Sequence, residues 1–95
     1  MKIMISQPMR GKTNEQIREE REELVRRLQE EGHEVIDTVL DISENKSPIY
    51  NLSKSIELLD KADGVVFMKG WQEARGCRIE YTIAVEYGKF VKEEQ

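Results

Sequence analysis

Apolar residues along the chain fall into two kinds of run. Ile3-Met4-Ile5 and Gly64 to Met68 are short and nearly continuous, rich in β-branched and aromatic side chains, and bounded by polar or glycine-bearing turns. Runs of that length and composition predict strands covered on both faces, as in a parallel sheet. Between and after them the period lengthens. Ile17, Leu24, Val25 and Leu28 fall on one helical face, Ile49, Leu52, Ile56 and Leu59 on a second, and Ile79, Ile83, Ala84 and Tyr87 on a third. Thr13-Asn14-Glu15-Gln16 fits a capping box that opens the first helix, and Gly32 supplies its stop. Ser47-Pro48 fits an N-cap followed by proline in the first turn of a helix running to about Lys61. The third helix is expected from Cys77 to a stop at Gly88. His33 to Ile36 and Lys89 to Val91 complete the strands, and Val39 to Lys46 is expected to be an irregular loop over a pocket.

The order is βαβαβαβ. Right-handed crossovers then give a three-layer α/β fold, an open parallel sheet of about four strands in the order 2-1-3-4, Rossmann- or flavodoxin-like, with helices on both faces. The strand order reverses between strands 1 and 3. Ligands in such sheets bind beyond the carboxyl ends of the strands at that reversal. This brings the loop from Gln7 to Lys12 beside the segment from Lys69 to Glu80, as two walls of one pocket.

Composition narrows the field. Ninety-five residues make one small domain, 1–95, whose modest core would gain from oligomerisation. A chain 38% hydrophobic and 36% charged fits a globular protein with highly charged helices. Its net charge of −4 argues against a general nucleic-acid binder, which needs a basic face. No apolar stretch is long enough to span a bilayer and no signal-peptide pattern is present, so a cytoplasmic location is expected. A single cysteine, Cys77, permits neither an internal disulfide nor a multi-cysteine metal site.

Two clusters carry candidate chemistry. Glu80 falls in the first turns of the third helix, where unpaired N–H groups and the helix dipole favour an ionised carboxylate. Facing a pocket, such a group serves as nucleophile or as stabiliser of a cationic transition state; on position alone it is equally good helix chemistry. Ser6, Arg10, Gly11 and Lys12 lie where loop N–H groups and the start of the first helix favour an anion. The alternative is an exposed turn with incidental cations. The long charge run of the first helix is expected to be its solvated face.

Gly70-Trp71-Gln72-Glu73-Ala74-Arg75-Gly76-Cys77-Arg78-Ile79-Glu80, followed by an alanine-containing helix and Gly88-Lys89, resembles the signature of the nucleoside 2-deoxyribosyltransferase-like superfamily. The likeness is greatest to a small, uncharacterised bacterial and phage branch, and it extends from the first strand to Gly88-Lys89. The resemblance implies that Glu80 attacks the sugar C1′ of a deoxynucleoside or its 5′-monophosphate, with no metal or organic cofactor. It implies that Gln7, Pro8, Met9, Arg10 and Gly11 form the phosphate-gripping loop, with Pro8 where a serine would stand. Glu73 would contact the base or assist proton transfer, and Arg75 would brace the loop or orient Glu80. Trp71 would stack on a nucleobase or plug the pocket mouth, and Gly70 and Gly76 would shape the loop around the ligand. A homodimer is also implied.

The sequence departs from that pattern at three positions. Met4 replaces a tyrosine that helps position the nucleophile, Gln7 replaces a glycine where backbone approaches the ligand, and Ser55 replaces a catalytic aspartate. A serine can hydrogen-bond a hydroxyl but cannot act as a carboxylate. A nucleotide-binding or sensing module without turnover is therefore the second reading, and cleavage of the nicotinamide–ribose bond of NAD a third. Cys77 is expected to be a packed small residue, His33 to take no part in catalysis, Met9 and Met68 to line the pocket or the core, and Asp63 to be structural. Tyr50 and Tyr81 are open between the pocket and a dimer contact.

Overall fold

The computed structural model describes residues 1–36 and 47–94. Strands β1 (Lys2–Ser6), β2 (Glu34–Ile36), β3 (Gly64–Phe67) and β4 (Phe90–Glu93) alternate with helices α1 (Asn14–Glu30), α2 (Pro48–Lys61) and α3 (Arg75–Glu86). Among the described residues every strand pairing is parallel, in the order β2-β1-β3-β4. This is the expected open α/β sheet. The loop expected over Val39 to Lys46 lies outside the described residues.

Alternation along β1 sorts its side chains between two layers. Ile3 and Ile5 pack with Leu24, Leu28 and Val66 under α1. Met4 packs with Leu59, Val65, Phe67, Cys77 and Ala84 under α2 and α3. Each large side chain fully buried in these layers contributes about 1.5–3 kcal/mol of transfer free energy. By the same alternation Ser6 belongs to the α3 side and Gln7 to the α1 side, which decides what each of them touches.

The ends of the helices follow from local chemistry. The Thr13 hydroxyl accepts from the Gln16 N–H at 3.1 Å, and the Gln16 carbonyl oxygen accepts from the Thr13 N–H at 2.9 Å, so the capping box forms as expected. Gly32 takes a left-handed φ of 91° after α1. Ser47 caps α2 by accepting from the Tyr50 N–H at 3.1 Å. Helix α3 starts two residues earlier than Cys77, and β3 ends one residue before Met68. The charge run of α1 has one exception to the expected solvated face: Arg21 is 5% exposed, with its guanidinium toward the Ile5 carbonyl at 3.5 Å. Asp63 is structural, accepting from the Lys2 N–H at 2.8 Å.

Candidate functional site at the sheet reversal

Parallel pairing sets Ser6 opposite Phe67, and the Met68 N–H donates to the Ser6 carbonyl at 2.9 Å. The two strands therefore release their loops side by side. A Cβ built on Gly70 would lie 3.8 Å from Cγ of Pro8, so the two loops run close together at the reversal. The juxtaposition expected of Gln7–Lys12 and Lys69–Glu80 is present.

The loop after β3 is tied down from inside. Gly70 adopts φ 88°, and a single 3-10 turn, Trp71–Glu73, is closed by Trp71 N–H to Met68 O and Ala74 N–H to Trp71 O, both at 3.1 Å. Trp71 is a core side chain. Its ring stacks on Tyr81 at 4.4 Å and 18°, tilts against Phe67 at 5.3 Å, and donates Nε1–H to Glu93 at 3.1 Å. Neither role expected of Trp71, base-stacking surface or plug at the pocket mouth, fits a buried indole whose face is covered by Tyr81. It anchors the loop instead, because an indole gains more by burial with its N–H satisfied than by exposure. Tyr81 is likewise part of this aromatic cluster. The bracing expected of Arg75 falls to Arg78, whose Nη1 donates to the Gln72 carbonyl at 2.9 Å, while Arg75 and Glu73 are exposed.

Helix α3 begins at Arg75 with Ala74 in the capping position, no side-chain cap and no acidic residue in its first turn. Its first N–H groups and the positive end of its dipole therefore face the reversal without a side-chain acceptor. Gly76, in that turn, faces α2: a Cβ built on it would lie 3.9 Å from Cδ1 of Leu52. Ser55 is half-buried one turn further along α2, between Leu52 and the core residue Leu59.

Glu80 lies on the inward side of α3 and is 7% exposed. Its Oε2 has no hydrogen-bond partner among the described residues, and neither has Oγ of Ser6, which is 2% exposed. Burial pushes the Glu80 carboxyl up to about 7, an effect the nearby Ser6 hydroxyl only partly offsets. The carboxyl expected to be held ionised by the helix start thus keeps its proton well above the usual carboxylate range. Desolvation in the second turn outweighs the dipole, which acts mainly on the first. Burial also raises the Cys77 thiol; the neighbouring Ser6 hydroxyl lowers it and the Glu80 charge raises it. Cys77 is packed, as expected.

The loop after β1 is organised differently. Gly11 takes φ 80° in a turn closed by Lys12 N–H to Met9 O at 3.1 Å. Lys12 Nζ sits 2.8 Å from Glu20, and Gln7 Nε2 donates to the same carboxylate at 3.1 Å and to the Ile17 carbonyl at 3.0 Å. Lys12 first, then Gln7, hold the Glu20 carboxyl below the usual carboxylate range. Gln7 therefore turns under α1, on the opposite side of the sheet from Glu80. Ser6 does not join the cations of this loop, because alternation sends its side chain to α3. Arg10 is exposed, Pro8 and Met9 are half-buried, and Arg10 is left as the cation of this loop outside the Glu20 network. A separate open groove of about 640 Å³ runs along α1 beside Val35 and contains none of the expected site residues.

The fold and these loops define an open parallel α/β domain whose candidate site is a buried carboxyl at the strand-order reversal. The sequence profile of a domain family of unknown function, DUF4406, matches residues 1–93, and the chain belongs to that family. No curated protein matches the chain, and no solved structure does. No helix is long and apolar enough to cross a membrane among the described residues.

Proposed function

We propose that the protein cleaves or exchanges the N-glycosidic bond of a deoxynucleoside or its 5′-monophosphate, with Glu80 as nucleophile. The supporting observation is a single one: a nearly buried carboxyl at the sheet reversal, one oxygen without a partner among the described residues, in a helix whose start is uncapped. A functional carboxyl is characteristically set apart by such desolvation. An oxygen of Glu80 bonds to C1′ as the C1′–N bond breaks. The bonding pair leaves on the base nitrogen, which takes a proton from Glu73 or from solvent. Water or a second base then attacks C1′, the ester bond to Glu80 breaks, and the carboxylate is regenerated, as in a retaining glycosidase. The exposed Arg10 and the first turn of α3 bind a 5′-phosphate where one is present.

A second reading has its own support. Ser55 supplies a hydroxyl and no carboxylate on α2, and a Glu80 that keeps its proton above the usual carboxylate range binds a ligand donor or acceptor without turnover. This describes a nucleotide-binding module. Chromatography of free base from deoxynucleosides, their 5′-monophosphates and NAD separates the readings. Release by the wild type that Glu80→Gln abolishes supports the enzyme, and release from NAD alone would transfer the activity to the nicotinamide–ribose bond. No release, with thermal stabilisation by a nucleotide, supports the binding module. The homodimer implied for so small a core is carried forward with this reading, and light scattering at micromolar concentration tests it.

A further inference from the structure

A buried hydroxyl rarely goes without a partner, because removing it from water uncompensated is costly. Ser6 is such a case. It ends β1, alternation points it at α3, it is 2% exposed, and its Oγ makes no hydrogen bond of good geometry among the described residues. The space it faces holds the Cys77 thiol and the Glu80 carboxyl, each of which responds to it. Glu80 has an open valence of its own in that space, at Oε2. A serine hydroxyl can donate one proton, and an ionised carboxylate can only accept. Aliphatic and aromatic side chains make up the rest of the layer; the Trp71 N–H among them is already given to Glu93.

We propose that Ser6 is the positioning residue of Glu80: its hydroxyl swings to donate to one carboxylate oxygen when Glu80 ionises, leaving the other oxygen directed at the ligand space. The proposal rests on the site reading above, since it supplies the orientation that an attacking carboxylate needs. Its physics, however, is independent of turnover. No bond to carbon is made or broken by Ser6. Its proton stays on Oγ.

The groups that face Glu80 from the packed elements are few. Cys77 lies on α3 itself and is kept neutral by burial; β1 contributes Ser6, and among the described residues no charge on α2 or β3 moves the carboxyl. The titration of Glu80 is therefore a clean reporter of the Ser6 hydroxyl.

The test is a pH titration of protein labelled with ¹³C at the glutamate side-chain carboxyl, the Glu80 signal being assigned by its absence in Glu80→Gln. Ser6→Ala is expected to raise the Glu80 midpoint by about one pH unit, the loss of one charge-assisted hydrogen bond. Ser6→Thr, which keeps the hydroxyl, is expected to restore the wild-type midpoint. A midpoint unchanged or lowered in Ser6→Ala overturns the proposal. If Ser6→Ala does not fold, Ser6→Cys carries the same test, because a thiol is a weak donor of nearly the same size. Should the midpoint move as expected while no base is released from any nucleotide, Ser6 keeps its role and the glycosidic reading fails by itself.

Discussion

The two loops at the sheet reversal come from neighbouring strands and reach similar helix starts, yet they resolve their polar groups in opposite ways. The loop after β1 pairs most of its polar groups: a capping box closes α1, Lys12 and Gln7 both donate to Glu20, and Gln7 also donates to the Ile17 carbonyl, which leaves Gln7 Oε1 as its one buried atom without a partner among the described residues. The loop after β3 is anchored through its apolar part, by Trp71, Tyr81 and Phe67, and leads into an uncapped α3 whose Glu80 faces Ser6 at the end of β1, Oε2 of the one and Oγ of the other having no partner among the described residues. Candidate catalytic loops are recognised by polar groups that the fold does not satisfy. A cluster of cations is a poorer guide, since Lys12 is already paired.

The comparison is broken most severely at Glu80. Glu80→Gln keeps shape and removes the charge, and base release is expected to fall on the order of a thousandfold or more, measured by chromatography. If an equal loss followed Glu20→Gln instead, the contrast between the loops would be misdrawn.

The next effect is on stability. In the unfolded chain Glu80 titrates near 4.5, and in the fold it is raised to about 7. The folded state therefore holds the proton more tightly. Its contribution is fully present below pH 4.5 and is lost as pH rises through about 7, a change of about 3 kcal/mol. Denaturant titrations from pH 4 to 8 are expected to show this slope in the wild type and not in Glu80→Gln. If Glu80 is the nucleophile, the same ionisation is expected to make base release rise through neutral pH, measured by chromatography across that range.

Arg10 and Lys12 give a third test. Arg10→Ala is expected to weaken a deoxynucleoside 5′-monophosphate about tenfold relative to the unphosphorylated nucleoside, by calorimetry. Lys12→Met is expected to do less, because its ammonium is held by Glu20. A reversed ranking would show that Lys12 exchanges Glu20 for phosphate.

The smallest effect concerns the caps. Thr13→Ala is expected to cost about 1 kcal/mol of stability, and Ala74→Asp, at a residue already in capping geometry, to add a similar amount to α3. Only Ala74→Asp should also reduce nucleotide affinity, since its carboxylate would occupy the N–H groups left open there.

Much of this was legible in the residues. Short apolar strands, Thr13, Ser47-Pro48 and Gly32 give the element order, and the handedness of crossovers gives the sheet order. The adjoining loops follow from that order, whereas Glu80 was singled out only by the resemblance of the segment from Gly70 to Glu80 to a known signature. What was not legible depends on faces and depth. The role of Trp71 turns on Tyr81 lying inward, which the helical spacing did not mark, and the hydroxyl of Ser6 turns on the parity of β1. Arg21 looked like one more surface charge in a charged helix. The protonation of Glu80 depends on how deeply α3 seats, a quantity that position in sequence does not carry.

Trp71 is the chain's one tryptophan, and it is held at the base of the site loop by Tyr81, Phe67 and the Glu93 carboxylate of the final strand. The protein thus carries its own optical gauge. Emission from this indole reports on the seat of the loop, without a dye or a label. A ligand that lifts the loop, or a shortened last strand that removes Glu93, would register as a shift of colour before any product is counted.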